Sequence, residues 1–163
     1  MKYIKIFATG GTFDKEYNEI NGELFFKKTN LSQLLNLGRC KLDVKIETLM
    51  MVDSLEMSTT NREYIVNKCK KENTQRIIVT HGTDTIVDTA KLLAENINDK
   101  TIILTGAMIP IKFGSSDGLF NLGSALSFVQ VLETGIYITM NGRYFLWDNV
   151  RKNKKIGIFE KIK

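Results

Sequence analysis

Three short apolar runs, each stopping at a threonine–glycine turn, constrain this chain more than anything else in it. "YIKIFATGG" ends in Thr-Gly-Gly, "RIIVTHGTD" in Thr-His-Gly, and "TIILTGAMI" in Thr-Gly-Ala. Short β-branched runs bounded by glycine read as buried strands. Between and after them lie helical patterns. In "TDTIVDTAKLLAENI", Ile86, Ala90, Leu93, Ala94 and Ile97 share one helical face. "TTNREYIVNKCKK" opens on what reads as a capping box, Thr60 with Glu63. "SSDGLFNLGSALSFVQVLE" gives a third helix rich in Leu and Phe. Strands alternating with helices predict an α/β fold, doubly wound, with a mostly parallel sheet and helices on both faces, of the Rossmann or flavodoxin-like kind.

Further strands follow from pattern. "LDVKIET" alternates strictly, with Leu42, Val44 and Ile46 pointing one way. "IYITM-NG-RYFLW" is a β-hairpin near the C-terminus, because Asn141-Gly142 suits a type I′ turn. "IGIFEKI" is expected to add one more edge strand. At 163 residues, with no linker or repeat, the chain is expected to form a single domain over 1–163.

Composition excludes some classes. The net charge of +5 comes from scattered lysines, clustered only in "RKNKK", so no nucleic-acid partner is expected. No apolar run is long enough to span a bilayer, so no membrane partner is expected either. "MKYIKIFATGG" lacks the long apolar stretch and cleavage site of a signal peptide, which points to the cytoplasm. Cys40 and Cys69 stand far apart, without a ligand pattern, and are expected to be free thiols. His81 is the single histidine, which argues against a histidine-built metal site, and no cofactor is expected.

In an open parallel α/β sheet, ligands bind beyond the carboxyl ends of the strands, where all three turns fall. Gly10 and Gly11 let the backbone turn sharply and approach a ligand. Thr12 then projects at the sheet edge, beside the turn carrying Thr83 and Asp84. Each signal has an ordinary structural explanation as turn chemistry or a helix N-cap. Three of them on one edge favour a site. "ATGGTFDK" has neither the GxxxxGK[ST] nor the GxGxxG spacing. His81, inside a tight turn, fits a hydrogen-bonded structural histidine better than a catalytic base. A hydroxyl nucleophile here must borrow another base, such as lysine, tyrosine or a paired carboxylate.

These residues resemble a known family. "ATGGTFD" and "VTHGTDTIVDTA" are similar to the two signature segments of the bacterial-type L-asparaginases. "LTGAMIP" with "SSDGLFNL" resembles the stretch after the second signature, and "MNGRYFLWDNVRK" the segment carrying that family's active-site lysine. The resemblance implies an amidohydrolase that converts L-asparagine to aspartate and ammonia through an acyl-enzyme. In this comparison Thr12 is the nucleophile, Tyr17 the mobile-loop tyrosine that pairs with it, and Thr83, Asp84 and Lys152 the second catalytic set. Gly11, Ser54, Thr83, Asp84 and Ala107 are the implied substrate-binding residues, with Ser54 gripping the α-carboxylate. Amides of Gly11, Thr12 and the Thr83 turn would form the oxyanion hole.

Two departures stand out. The family usually carries a smaller C-terminal domain, expected to be absent here, so the pocket for the substrate amine must be built differently. Leu55 follows Ser54 where glutaminase-capable relatives often have a polar residue, so glutamine is expected to be a poorer substrate. A homodimer is expected, with the helices after "TTN" and "SSDG" as candidate contacts. The competing expectations are a non-catalytic domain that binds asparagine or aspartate, a hydrolase of another small amide and, more distantly, a nucleotide-binding module.

Overall fold

The computed structural model describes residues 3–163. Six strands form the central sheet: β1 (Ile4–Gly10), β4 (Val44–Val52), β5 (Arg76–Thr80), β6 (Thr101–Thr105), β7 (Gly135–Met140) and β8 (Arg143–Leu146). Their spatial order is β4-β1-β5-β6-β7-β8. The first five are parallel, and β8 returns antiparallel to β7. Two small ribbons stand apart, β2 (Lys15–Asn18) with β3 (Glu23–Phe26) and β9 (Arg151–Asn153) with β10 (Ile158–Glu160).

The apolar runs form strands because both of their faces are covered. One face carries Ile77, Val79, Ile102 and Leu104 against α2 (Thr59–Lys71) and α3 (Ile86–Asn96). The other carries Ile6, Ile78 and Ile103 against α1 (Leu31–Leu37) and α4 (Gly118–Val131). Near-continuous β-branched sequence is what such doubly covered strands require. Leu42, Val44 and Ile46 pack together against the second layer, as their alternation predicts, although the strand itself begins at Val44.

The crossovers are not all of one hand. The steps β5→β6 and β6→β7 run in the same direction across the sheet, yet α3 and α4 lie on opposite faces. The connections through α1, α2 and α3 therefore share one hand, and the one through α4 has the other. Right-handed crossovers are close to universal, which makes β6–α4–β7 the left-handed exception. Polar side chains secure it. Asp117, before α4, accepts hydrogen bonds from the backbone N–H of Met108 (2.9 Å) and Ile109 (3.2 Å). Asn121 donates to the Gly106 carbonyl (2.8 Å) and accepts from the Asn141 N–H (2.8 Å), joining the ends of β6 and β7.

The β7–β8 hairpin is as expected. Met140 pairs with Arg143, and Asn141 and Gly142 both have positive φ (52° and 80°), the type I′ signature. Two local expectations are corrected. The N-cap of α2 is Ser58, whose hydroxyl accepts from the Asn61 N–H at 3.2 Å, while the Asn61 side chain accepts from the Ser58 N–H at 2.9 Å. The box thus begins two residues before Thr60, and Asn61 takes the place expected of Glu63. The final strand does not extend the sheet. Ile158–Glu160 pairs only with β9, because a tight turn closes locally, with the Gly157 N–H donating to the Asn153 carbonyl at 2.9 Å.

Both cysteines are free; Cys69 is fully buried, and burial pushes its thiol up to about 12. Among the described residues, no helix is long and apolar enough to cross a membrane.

Candidate active site

The switch point of the sheet lies between β1 and β5, because the chain leaves β1 toward β4 on one side and later resumes with β5 on the other. The loops after these two strands press together there. Gly10 and Gly11 have φ of 93° and 72°. A Cβ on Gly10 would fall 2.5 Å from the Val52 nitrogen, and one on Gly11 2.4 Å from the Gly82 Cα. Two glycines end β1 because any side chain would drive its loop off both neighbours. Thr12 and Thr83 each follow one of the touching glycines, Gly11 and Gly82. Thr12 is half-buried at the head of a short 3-10 turn, Thr12–Asp14, and Thr83 is buried.

Ser54 completes this surface. It is 2% exposed, and a Cβ on Gly82 would lie 2.6 Å from its hydroxyl oxygen. The Ser54 and Thr83 loops are tied by polar contacts that the sequence did not single out. Thr85 donates its hydroxyl to the Ser54 carbonyl (2.8 Å). Arg62, from α2, donates to Thr85 Oγ1 (2.9 Å) and to the Met57 carbonyl (2.6 Å). Thr85 sits inside the quoted "THGTDT" run, but Arg62 has no local signal, since it reaches the loop only through tertiary packing.

Lys152 arrives from β9. Phe159, its cross-strand partner, is buried in the core and fixes the ribbon. Lys152 Nζ donates to Thr83 Oγ1 at 2.8 Å and to Asp84 Oδ1 at 2.8 Å. The lysine side chain is only 12% exposed, against 36% for Asp84. Its neighbour Arg151 points away and pairs with Glu160. A triad of amine, hydroxyl and carboxylate is thus assembled from residues 68 and 69 positions apart.

His81 is structural. Its Nδ1 lies 2.8 Å from the Gly82 carbonyl and its Nε2 2.8 Å from Thr89 Oγ1. A carbonyl only accepts, so Nδ1 carries the proton and Nε2 accepts from the Thr89 hydroxyl. Burial pulls its pKa down to about 4. Tyr17 lies on β2, half exposed, with its hydroxyl at the hairpin's own tip, 3.8 Å from where a Cβ on Gly22 would be. Ala107 is fully buried beneath α4. The structure therefore brings together Gly11, Thr12, Ser54, Thr83, Asp84 and Lys152, leaving Tyr17 outside the cluster and Ala107 beneath the surface. The Gly11 N–H donates to the Val52 carbonyl at 3.0 Å, so it is not free to serve as an oxyanion donor.

Asp14, two residues after Thr12, is also buried. Its Oδ1 accepts from the Asn30 N–H (2.8 Å) and the Thr29 hydroxyl (3.2 Å), while Oδ2 has no partner among the described residues. Burial raises its pKa to about 6. Asp14 and His81 then act oppositely on stability. Asp14 favours the folded state at low pH and loses that contribution as pH rises toward 6, whereas His81 loses its own as pH falls from 6.5 toward 4. Each amounts to roughly 3 kcal/mol, so they offset one another between about pH 4 and 6. Asp14→Asn should unmask His81, with Tm falling more steeply than wild type on acidification through this window. Calorimetry at half-unit pH steps reads it, and parallel Tm curves for the two proteins would refute it.

The family model described as "Asparaginase, N-terminal" matches residues 3–158, which include both glycine-ended loops and all but the last residues of the β9–β10 ribbon. The chain belongs to this family. It is 29% identical over 159 residues to the L-asparaginase of Thermococcus kodakarensis, covering 94% of this chain and 48% of that one. It is 33% identical over 132 residues to L-asparaginase 2 of Escherichia coli, covering 76% of this chain and 37% of the relative. Among solved structures, the probable cytoplasmic L-asparaginase of Campylobacter jejuni superposes with a TM-score of 0.85 at 26% identity, covering 99% of this chain and 53% of the other. The chain thus spans about half, or less, of the length of these asparaginases, and the α/β fold expected from its sequence is the one it shares with the solved Campylobacter jejuni structure.

Proposed function

We propose that this domain hydrolyses the side-chain amide of L-asparagine to aspartate and ammonia. The observation that carries the proposal is the bridge from Lys152 Nζ to Thr83 Oγ1 and Asp84 Oδ1, beside the loop of Thr12. Thr12 Oγ attacks the amide carbon, and the tetrahedral oxyanion is met by amides of Thr12 and the Thr83 turn. The Thr12 hydroxyl proton ends on the amide nitrogen, the C–N bond breaks, ammonia leaves, and water then hydrolyses the Thr12 ester. For this second step Lys152 must be unprotonated. Its nitrogen then accepts the Thr83 proton, Thr83 takes one from the attacking water, and Asp84 holds the resulting ammonium until that proton returns to Thr12 Oγ as the ester C–O bond breaks. Ser54 holds the substrate α-carboxylate, and Tyr17 serves once its hairpin closes on Thr12. The asparaginase relatives support the substrate class. Ammonia release from L-asparagine by the purified chain tests the proposal, and binding without turnover would favour the non-catalytic alternative.

Asparagine is the preferred amide. Leu55, 68% exposed beside Ser54, offers no polar contact to a longer substrate. One extra methylene gives about 1–3 kcal/mol of discrimination, so a preference of roughly 10- to 200-fold in kcat/KM over glutamine is expected. Equal specificity constants would sink this point. The compartment we infer is the cytoplasm, which fits two unpaired cysteines. The assembly we infer is a homodimer through α4, where Leu119, Phe120 and Val131 are 37%, 62% and 74% exposed. On α2, by contrast, Tyr64 is the one large exposed apolar side chain. Sedimentation at micromolar concentration reads the mass, and a lone 18.5 kDa species would overturn the dimer.

A further inference from the structure

We propose that Lys15 and Asp53 form a positioning pair that latches the β2–β3 hairpin onto the Ser54 turn and holds the mouth of the amide site in register, a role that rests on the amide-hydrolase reading above. The hairpin begins directly after the Thr12–Asp14 turn and carries Tyr17. It belongs to no larger sheet, and Tyr17, Leu24 and Phe25 are 52%, 49% and 39% exposed. A two-stranded ribbon of this kind is marginal by itself and needs an anchor.

Besides the packing of β2 against the Ile111–Phe113 turn, an anchor stands on its first residue. Lys15 Nζ pairs with Asp53 Oδ2. The two side chains are only 19% and 28% exposed, so the pair is partly shielded from solvent. Lys15 is also cross-strand to Phe26, whose ring centroid lies 6.0 Å from Nζ, so the lysine grips both strands of the hairpin. The carboxylate is divided between two tasks. Its Oδ1 accepts from the Leu55 N–H at 3.0 Å, shaping the turn that presents Ser54. Its Oδ2 holds the hairpin. The hydrogen bond from Lys15 lowers the pKa of Asp53, consistent with a pair formed in the folded protein. Three elements meet through one carboxylate: the Thr12 loop three residues before Lys15, the hairpin of Tyr17 two residues after it, and Ser54 next to Asp53. Neither Lys15 nor Asp53 touches the triad of Lys152, so the pair positions and does not react.

The test uses Lys15→Met, Asp53→Asn, the double variant and Lys15→Arg. Asn at 53 keeps the Oδ1 acceptor for Leu55, so it removes the latch and leaves the Ser54 turn. Each single variant is expected to lose about tenfold in kcat/KM for L-asparagine, and the double variant no more than either single one, since both break one interaction. Lys15→Arg keeps the charge and should stay within about threefold of wild type. Chymotrypsin cleavage within the hairpin, at Tyr17 or Phe25, should accelerate about tenfold in both single variants at unchanged Tm. A double variant losing about a hundredfold, or cleavage that accelerates with activity unaffected, overturns the positioning role. Unchanged cleavage overturns the latch itself. If the wild-type chain releases no ammonia, the amide-hydrolase reading fails separately, and the cleavage rates still decide whether Lys15 and Asp53 hold the hairpin.

Discussion

Thr12→Val and Thr83→Val are each expected to lower turnover of L-asparagine by at least about a hundredfold, the usual scale for a positioned catalytic group. Valine keeps the β-branched shape, so neither change should open a cavity. What disappears is one oxygen. At position 12 that oxygen is the proposed nucleophile, and the loop holding it is fixed by Gly10 and Gly11 against Val52 and Gly82. At position 83 it is the acceptor that Lys152 engages at 2.8 Å. The two variants should differ in stability. Thr12 is half-buried and makes no side-chain hydrogen bond among the described residues, so Thr12→Val should leave Tm nearly unchanged. Thr83→Val strips a partner from the shielded lysine and should cost about 1 kcal/mol. Thr60→Val, exposed on α2, is the control and should behave as wild type. Near-wild-type turnover in Thr12→Val would end the nucleophile assignment.

The sheet and its candidate site edge were legible because both rest on local signals. β-Branched runs stopped by glycine mark strands, and the parallel α/β rule puts ligands at their carboxyl ends. Thr12, Thr83 and Asp84 follow from those two facts before any relative is considered. The resemblance added Lys152, which no local pattern separates from Arg151, Lys154 and Lys155. The structure separates them, because alternation along β9 sends Arg151 outward to Glu160 and Lys152 inward to Thr83. What stayed hidden is set by tertiary choice. The left-handed crossover through α4 cannot be read from a helix that would pack equally well on either face. The capping box slipped by two residues because Ser58 and Thr60 both have the right hydroxyl, and only the Ser58–Asn61 hydrogen bonds single out the helix start. Arg62, Lys15 and Asp53 look like ordinary surface charges in sequence. Each becomes informative only when its long-range partner is known.

Lys152→Arg is the sharpest test of the second triad, and turnover is expected to fall by at least about a hundredfold. The substitution preserves charge and length, so the ion pair with Asp84 should survive and the fold should hold. A guanidinium stays protonated at every accessible pH and cannot accept the Thr83 proton. An amine can, once it has given up its own. Lys152→Arg should therefore lose turnover whatever the buffer pH. Lys154→Ala removes an exposed charge two residues away and should leave turnover as in wild type. If Lys152 were only a structural ion pair, arginine would replace it, since it offers Thr83 and Asp84 donors at least as good. The two roles thus predict opposite results from one substitution. An arginine variant with normal turnover would reduce Lys152 to a tether for the β9–β10 ribbon, and the base would have to be sought elsewhere at the β1–β5 switch point.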